Sequence, residues 1–148
     1  MTHLLDYLKE RVLLCDGAMG TEIMARGLSV ERDFWGHENC SEIVNESRPD
    51  VIRDIYRSYL QAGSDAIQTN TFGGSPVTLG EFGLQDQAFA INRHSAELAR
   101  ETIEEFRGDG RTRFLIGSIG PGTRLPSLAH AQVTAPSRRA MQLNPCCG

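Results

Sequence analysis

Two long stretches of helical periodicity, each followed by a short apolar run that ends in glycine, constrain this chain more than any other feature. Between Pro49 and Gly63, Val51, Ile52, Ile55, Tyr59 and Leu60 recur at helical spacing. Within Asp86–Phe106, Ala90, Ile91, Ala96, Leu98, Ala99 and Ile103 do the same. The runs that follow, Asp65–Phe72 before Gly73-Gly74 and Phe114–Ile119 before Gly120-Pro-Gly-Thr123, read as strands. Val12-Leu-Leu-Cys15, running into the polar turn Asp16–Thr21, reads as a short buried strand ahead of both. Strands alternating with helices imply an α/β fold with a parallel sheet. Right-handed crossovers then place all three strand C-terminal ends on one rim.

Local chemistry agrees with these boundaries. Thr2 is placed to cap a short helix whose apolar stripe is Leu4, Leu5 and Leu8. Pro49 and Asp50 suit the first turn of the next helix, and Gly63 its end. Residues 22–47 read mostly as loop, with Glu22–Arg26 helical, and Gly108 and Gly110 stop the last long helix. Beyond Leu128 no period is sustained, and Pro136 and Pro145 interrupt the chain. The expectation is therefore one patterned unit over residues 1–128 and an irregular tail over 129–148.

Length limits what that pattern can complete. The 148 residues suffice for one domain but fall far short of the ~250 of a closed eight-stranded βα barrel. A formal net charge of −4 argues against nucleic acid as a partner. No apolar run approaches the ~20 residues of a membrane span, and the charged N-terminus is unlike a signal peptide. The expectation is a cytoplasmic protein with no membrane partner, whose four cysteines are reduced. Its charge is uneven: all nineteen acids lie at or before Asp109, and five arginines follow with no acid.

Asp16, Asn70, Thr71 and Gly120-Pro121 all fall just after expected strands, where ligands bind in parallel sheets. An Asp among backbone N–H groups stays ionised and accepts from an ammonium; the same residue also serves as a turn acid. The glycine loops match neither G-x-G-x-x-G nor G-x-x-x-x-G-K-[ST], so they read as tight turns. Phe34 and Trp35 either wall a pocket or anchor a loop. None of the four histidines pairs with a cysteine at zinc-finger spacing, and Cys146-Cys147 offers two thiolates to a metal.

Together these segments resemble the homocysteine S-methyltransferase family, the zinc-dependent barrel domain that opens cobalamin-dependent methionine synthase. The matching text is Leu14-Cys-Asp-Gly-Ala-Met-Gly-Thr-Glu22, Glu38-Asn-Cys-Ser-Glu42, Asn45–Asp50, Ala62–Gly73 and Ile116-Gly-Ser-Ile-Gly-Pro121. The resemblance implies the first three βα units of a TIM-type (β/α)8 barrel, left incomplete. It also implies methyl transfer to a zinc-bound homocysteine thiolate, giving methionine, with methylcobalamin as the donor type. Carried over residue by residue, Asp16 and Gly17 contact the amino-acid end of homocysteine. Asn70, Thr71 and Phe72 line the pocket, and Gly120 with Pro121 shapes the third loop.

Family members continue through five further βα units that supply all three zinc cysteines. Here Asn144-Pro-Cys-Cys-Gly148 echoes the end of the family's Gly-Gly-Cys-Cys-Gly, so Cys146 and Cys147 are the metal candidates. The third ligand has no counterpart. The expectation is a fragment that is inactive alone and marginally stable, because open strand edges template pairing with another chain. Two other readings stand beside it: an interaction module completed by a chain carrying the missing units, and a small metal-independent βα enzyme.

Overall fold

A computed structural model describes residues 3–122. The order is α1 (Leu4–Glu10), α2 (Met19–Ala25), α3 (Val30–Asp33), α4 (Val44–Ser47), α5 (Pro49–Ala62), β1 (Ala66–Gln68), α6 (Pro76–Leu79), α7 (Ala88–Glu105) and β2 (Phe114–Ile116). Short 3-10 turns at Ser41–Ile43, Gly80–Phe82, Gln85–Gln87 and Arg107–Asp109 link them. Thr2, the tail 129–148, and Cys146 with Cys147 lie outside the described residues.

The sheet is parallel, as the alternation requires. β1 pairs β2 in the register Ala66↔Phe114, Ile67↔Leu115, Gln68↔Ile116. On the other side of β1, Cys15 forms a parallel bridge to Ala66, flanked by Asp65 N–H and Ala66 N–H to Leu14 O and by Asp16 N–H to Ala66 O. The three strand-like segments thus lie in chain order with β1 central. The expected buried strand Val12–Cys15 needs correction. Only Cys15 bridges, and Val12 is 92% and Leu14 56% exposed, since no described residue covers their outer side. Asp65–Phe72 and Phe114–Ile119 shrink to three paired residues each, because beyond Thr69 the polar side chains take over the pairing.

The long helices follow their periodicity except at Tyr59, partly buried while Tyr56 takes the core position, and at Ala90, which is exposed. Pro49 opens α5, and Gly63 ends it at φ 110°, with Ser64 N–H reaching back to Tyr59 O at 3.1 Å. The left-handed turn at Gly63 favours glycine because a Cβ there clashes with the backbone. Val51, Ile52, Ile55, Tyr56 and Leu60 bury the α5 face against Ile67 of β1 and against Ile91, Leu98 and Ala99 of α7. Outside that seam, Arg53–Glu101 (2.5 Å) and Arg57–Glu105 (2.7 Å) tie the same two helices. Tyr7 meets Phe114 edge-on at 5.2 Å between ring centroids, placing α1 at the N-terminal end of β2.

The helix expected at Glu22–Arg26 is present as α2, while the rest of residues 22–47, expected as loop, carries α3, α4 and a 3-10 turn. They are held by tertiary anchors rather than periodicity: Ile23, Cys40, Ile43 and Val44 are buried in the core. The side chain of Asp33, almost fully buried, accepts Ser29 N–H at 2.8 Å and pairs with Arg32 and Arg48.

Candidate functional site

A cavity of about 330 Å³ opens where the three parallel segments end. Asp16–Gly20 follow the Cys15 bridge, Gln68 ends β1 with Thr69, Asn70 and Phe72 beyond it, and Ser118 follows β2. Ser41 and Glu42 close it from the 3-10 turn. Ligands collect at this rim of parallel sheets because the loops there converge.

Asp16 accepts two hydrogen bonds from one residue, the Gln68 backbone N–H at 2.9 Å and Gln68 Nε2 at 3.1 Å. The expected backbone donor is therefore present. Burial outweighs it and lifts the carboxyl above its ordinary value, with both Gln68 bonds pulling the other way. Gly17 lies against α5: a Cβ there would stand 2.9 Å from Tyr59 Oη. A side chain there would have to displace the Tyr59 ring.

Asn70 is buried and bonded at its N–H, its carbonyl and its Nδ2. Its N–H faces Tyr56 Oη (3.1 Å) and Ser95 Oγ (2.9 Å). Its Nδ2 donates to Ser41 O (2.8 Å) and Asn45 Oδ1 (3.1 Å), and its carbonyl accepts Asn45 Nδ2 (2.9 Å). Burial pushes the Tyr56 hydroxyl up to about 12, which keeps it protonated. Thr71 stands outside the cavity lining, its hydroxyl donating to Ser118 O (2.8 Å) and accepting from Thr69 Oγ1 (2.6 Å). Phe72 lines the cavity and is 63% exposed. Gly120 stands behind Phe72, donating to its carbonyl at 2.9 Å, and a Cβ on Gly120 would come within 2.4 Å of that oxygen.

Three residues of the site were not singled out from sequence. Glu42 is buried, lines the cavity and accepts Gly73 N–H at 2.6 Å. Ser41 and Asn45 bind Asn70 as above. The acidic and amide residues flanking the apolar pair Ile43-Val44 were the available signal. Phe34 packs on the core and Trp35 is half-exposed at φ 51°; neither lines the cavity.

The cavity's chemistry is one-sided. Its described lining carries two carboxylates, Asp16 and Glu42, and no Lys, Arg or His. Such a surface accepts hydrogen bonds and favours a cationic ligand end. No three or more His, Cys, Asp or Glu among the described residues are placed to hold a metal ion. Cys15 is exposed and alone, and burial in the core pushes the Cys40 thiol up. Among the described residues no helix is long and apolar enough to cross a membrane.

Comparison with known proteins extends this picture. A family model described as homocysteine S-methyltransferase matches residues 13–142. The methionine synthase of Mycobacterium tuberculosis is 44% identical over 131 residues, covering 88% of this chain and 11% of that protein. That of Mycobacterium leprae is 41% identical over the same shares. The oxidized form of the homocysteine methyltransferase MmuM from Escherichia coli superposes with a TM-score of 0.64 at 31% identity, over 76% of this chain and 39% of that one. Its metallated form gives the same TM-score over 77% and 40%. The chain thus spans about a tenth of the curated relatives and two fifths of the solved ones.

Proposed function

This chain belongs to the homocysteine S-methyltransferase family, and on that premise we propose that its cavity binds the amino-acid end of homocysteine for methyl transfer to the sulfur. The observation that carries the reading is the pairing of Asp16 and Glu42 on a cavity whose described lining has no cationic side chain. In this reading the Asp16 carboxylate, oriented by Gln68, receives the substrate ammonium. The attraction between that ammonium and the carboxylate offsets the desolvation that lifts the Asp16 carboxyl. Phe72 supplies the apolar wall along the substrate's methylene groups, and Gly120 holds that wall from behind.

The same reading makes the Cys15 segment, β1 and β2 the first three strands of a (β/α)8 barrel that this chain leaves incomplete. Their parallel order and the ligand cavity at their C-terminal ends support it.

Zinc activation of the homocysteine thiol is the chemistry the family resemblance implies. The described residues do not fit such a centre, as their two cysteines are separated between core and surface and no donor cluster forms. Cys146 and Cys147 remain the metal candidates of this proposal, and methylcobalamin the donor type. The chain supplies the amino-acid pocket and does not complete the transfer by itself.

A titration of the isotope-labelled chain with L-homocysteine, followed by amide chemical shifts, tests the pocket. Shifts centred on Asp16, Gln68 and Asn70 are expected. Shifts confined elsewhere, or none, overturn the reading. Methionine formed by the purified chain with zinc and methylcobalamin would overturn its incompetence.

A further inference from the structure

Asn45 has no place in the substrate contacts above. It is fully buried on α4, outside the cavity lining, yet it makes a closed pair with Asn70, which lines the cavity. A primary amide offers a ligand either a donor or an acceptor, and turning it over exchanges the two with almost no change of shape. Which face Asn70 presents therefore depends on what holds it.

The hydrogen bonds form a directed ring. The Asn70 backbone carbonyl can only accept, so it selects the Nδ2 of Asn45, at 2.9 Å. That choice leaves Asn45 Oδ1 facing Asn70 Nδ2, at 3.1 Å. Ser41 O, another obligate acceptor, takes the second Nδ2 proton at 2.8 Å. An overturned Asn70 would set Oδ1 against two oxygens in a buried setting, at the cost of two unmet acceptors. With both Nδ2 protons committed, Oδ1 is the amide function left for a ligand.

Resting on the ammonium-binding reading above, we propose that Asn45 is a positioning residue that fixes the Asn70 amide with Oδ1 available to the cavity. It thereby adds a third acceptor to Asp16 and Glu42 and sharpens selection for a ligand carrying a free ammonium. An overturned amide would meet that ammonium with its own N–H groups.

The test compares L-homocysteine with its des-amino analogue 4-sulfanylbutanoate, using the full 148-residue chain and Asn45→Leu. Leucine keeps the volume and removes both polar functions. The parent is expected to prefer L-homocysteine by about tenfold or more, the range of one charge-assisted hydrogen bond. In Asn45→Leu the preference falls several-fold, Asp16 and Glu42 keeping the rest, while the analogue binds as before, and the Asn70 Nδ2 protons lose exchange protection. Equal weakening of both ligands, or unchanged Asn70 protection in the folded variant, overturns the proposal. If Asn45→Leu does not fold, the parent decides: protected Nδ2 protons on both Asn45 and Asn70 support the ring, and free exchange of either overturns it. If the parent binds neither ligand, the ammonium reading fails, and Asn70 protection alone decides the positioning role.

Discussion

Asp16 concentrates the tension between binding and stability. Burial raises its carboxyl above the ordinary 3.8, so the folded chain takes up a proton more readily than the unfolded chain. Stability from this group therefore falls as pH rises from about 3.8 through the raised folded value, and is flat above it. Asp16→Asn keeps an acceptor for the Gln68 N–H and removes the buried charge. Its thermal unfolding midpoint at neutral pH should be no lower than the parent's, in melts run across this range; a marked drop would contradict the assignment. Gly120→Ala is the opposite case, since its Cβ would meet backbone at Phe72 O and neither side can turn away. Urea titration should show a loss of about 1–3 kcal/mol. Asp16 was legible in the sequence because an Asp-Gly pair directly follows an apolar run. Glu42 and Asn45 were not, because their partners lie 31 and 25 residues away and only the fold brings them together.

The elements divide along the same line. α5 and α7 were legible because long apolar stripes need no tertiary information, and Pro49 and Gly63 mark the ends of α5. α3 and α4 are too short for a period to declare itself, and their stability comes from what they are pinned to. Asp33 is one such pin. The Arg32 guanidinium, the Ser29 N–H and Arg48 together hold its carboxyl down to about 2. A depressed carboxyl contributes stability above its unfolded value of 3.8, and this is lost as pH falls through about 2. Asp33→Asn should thus be less stable than the parent at neutral pH by a margin that shrinks between about pH 4 and pH 2. Urea titrations over that span measure it; a margin that stays constant to pH 2 would contradict the pin.

At the scale of the molecule, the sheet has β1 in its centre and nothing described beyond the Cys15 segment or β2. Val12, Leu14 and Ile119 stand exposed along these margins, at 92%, 56% and 76%. Unpaired edges beside apolar side chains favour association between chains. Light scattering should show the parent associating as concentration rises, and Val12→Lys with Leu14→Lys should reduce this. A parent that stays monomeric at high micromolar concentration would contradict it. The cavity is nevertheless built from loops within the described residues. Calorimetric titration of L-homocysteine into the parent and Asp16→Asn chains tests the proposed amino-acid pocket most directly. Saturable binding by the parent, weakened about 10–100-fold in Asp16→Asn as befits a lost charge-assisted contact, is the predicted result. Absence of binding by the parent, or equal affinity in both chains, would contradict it.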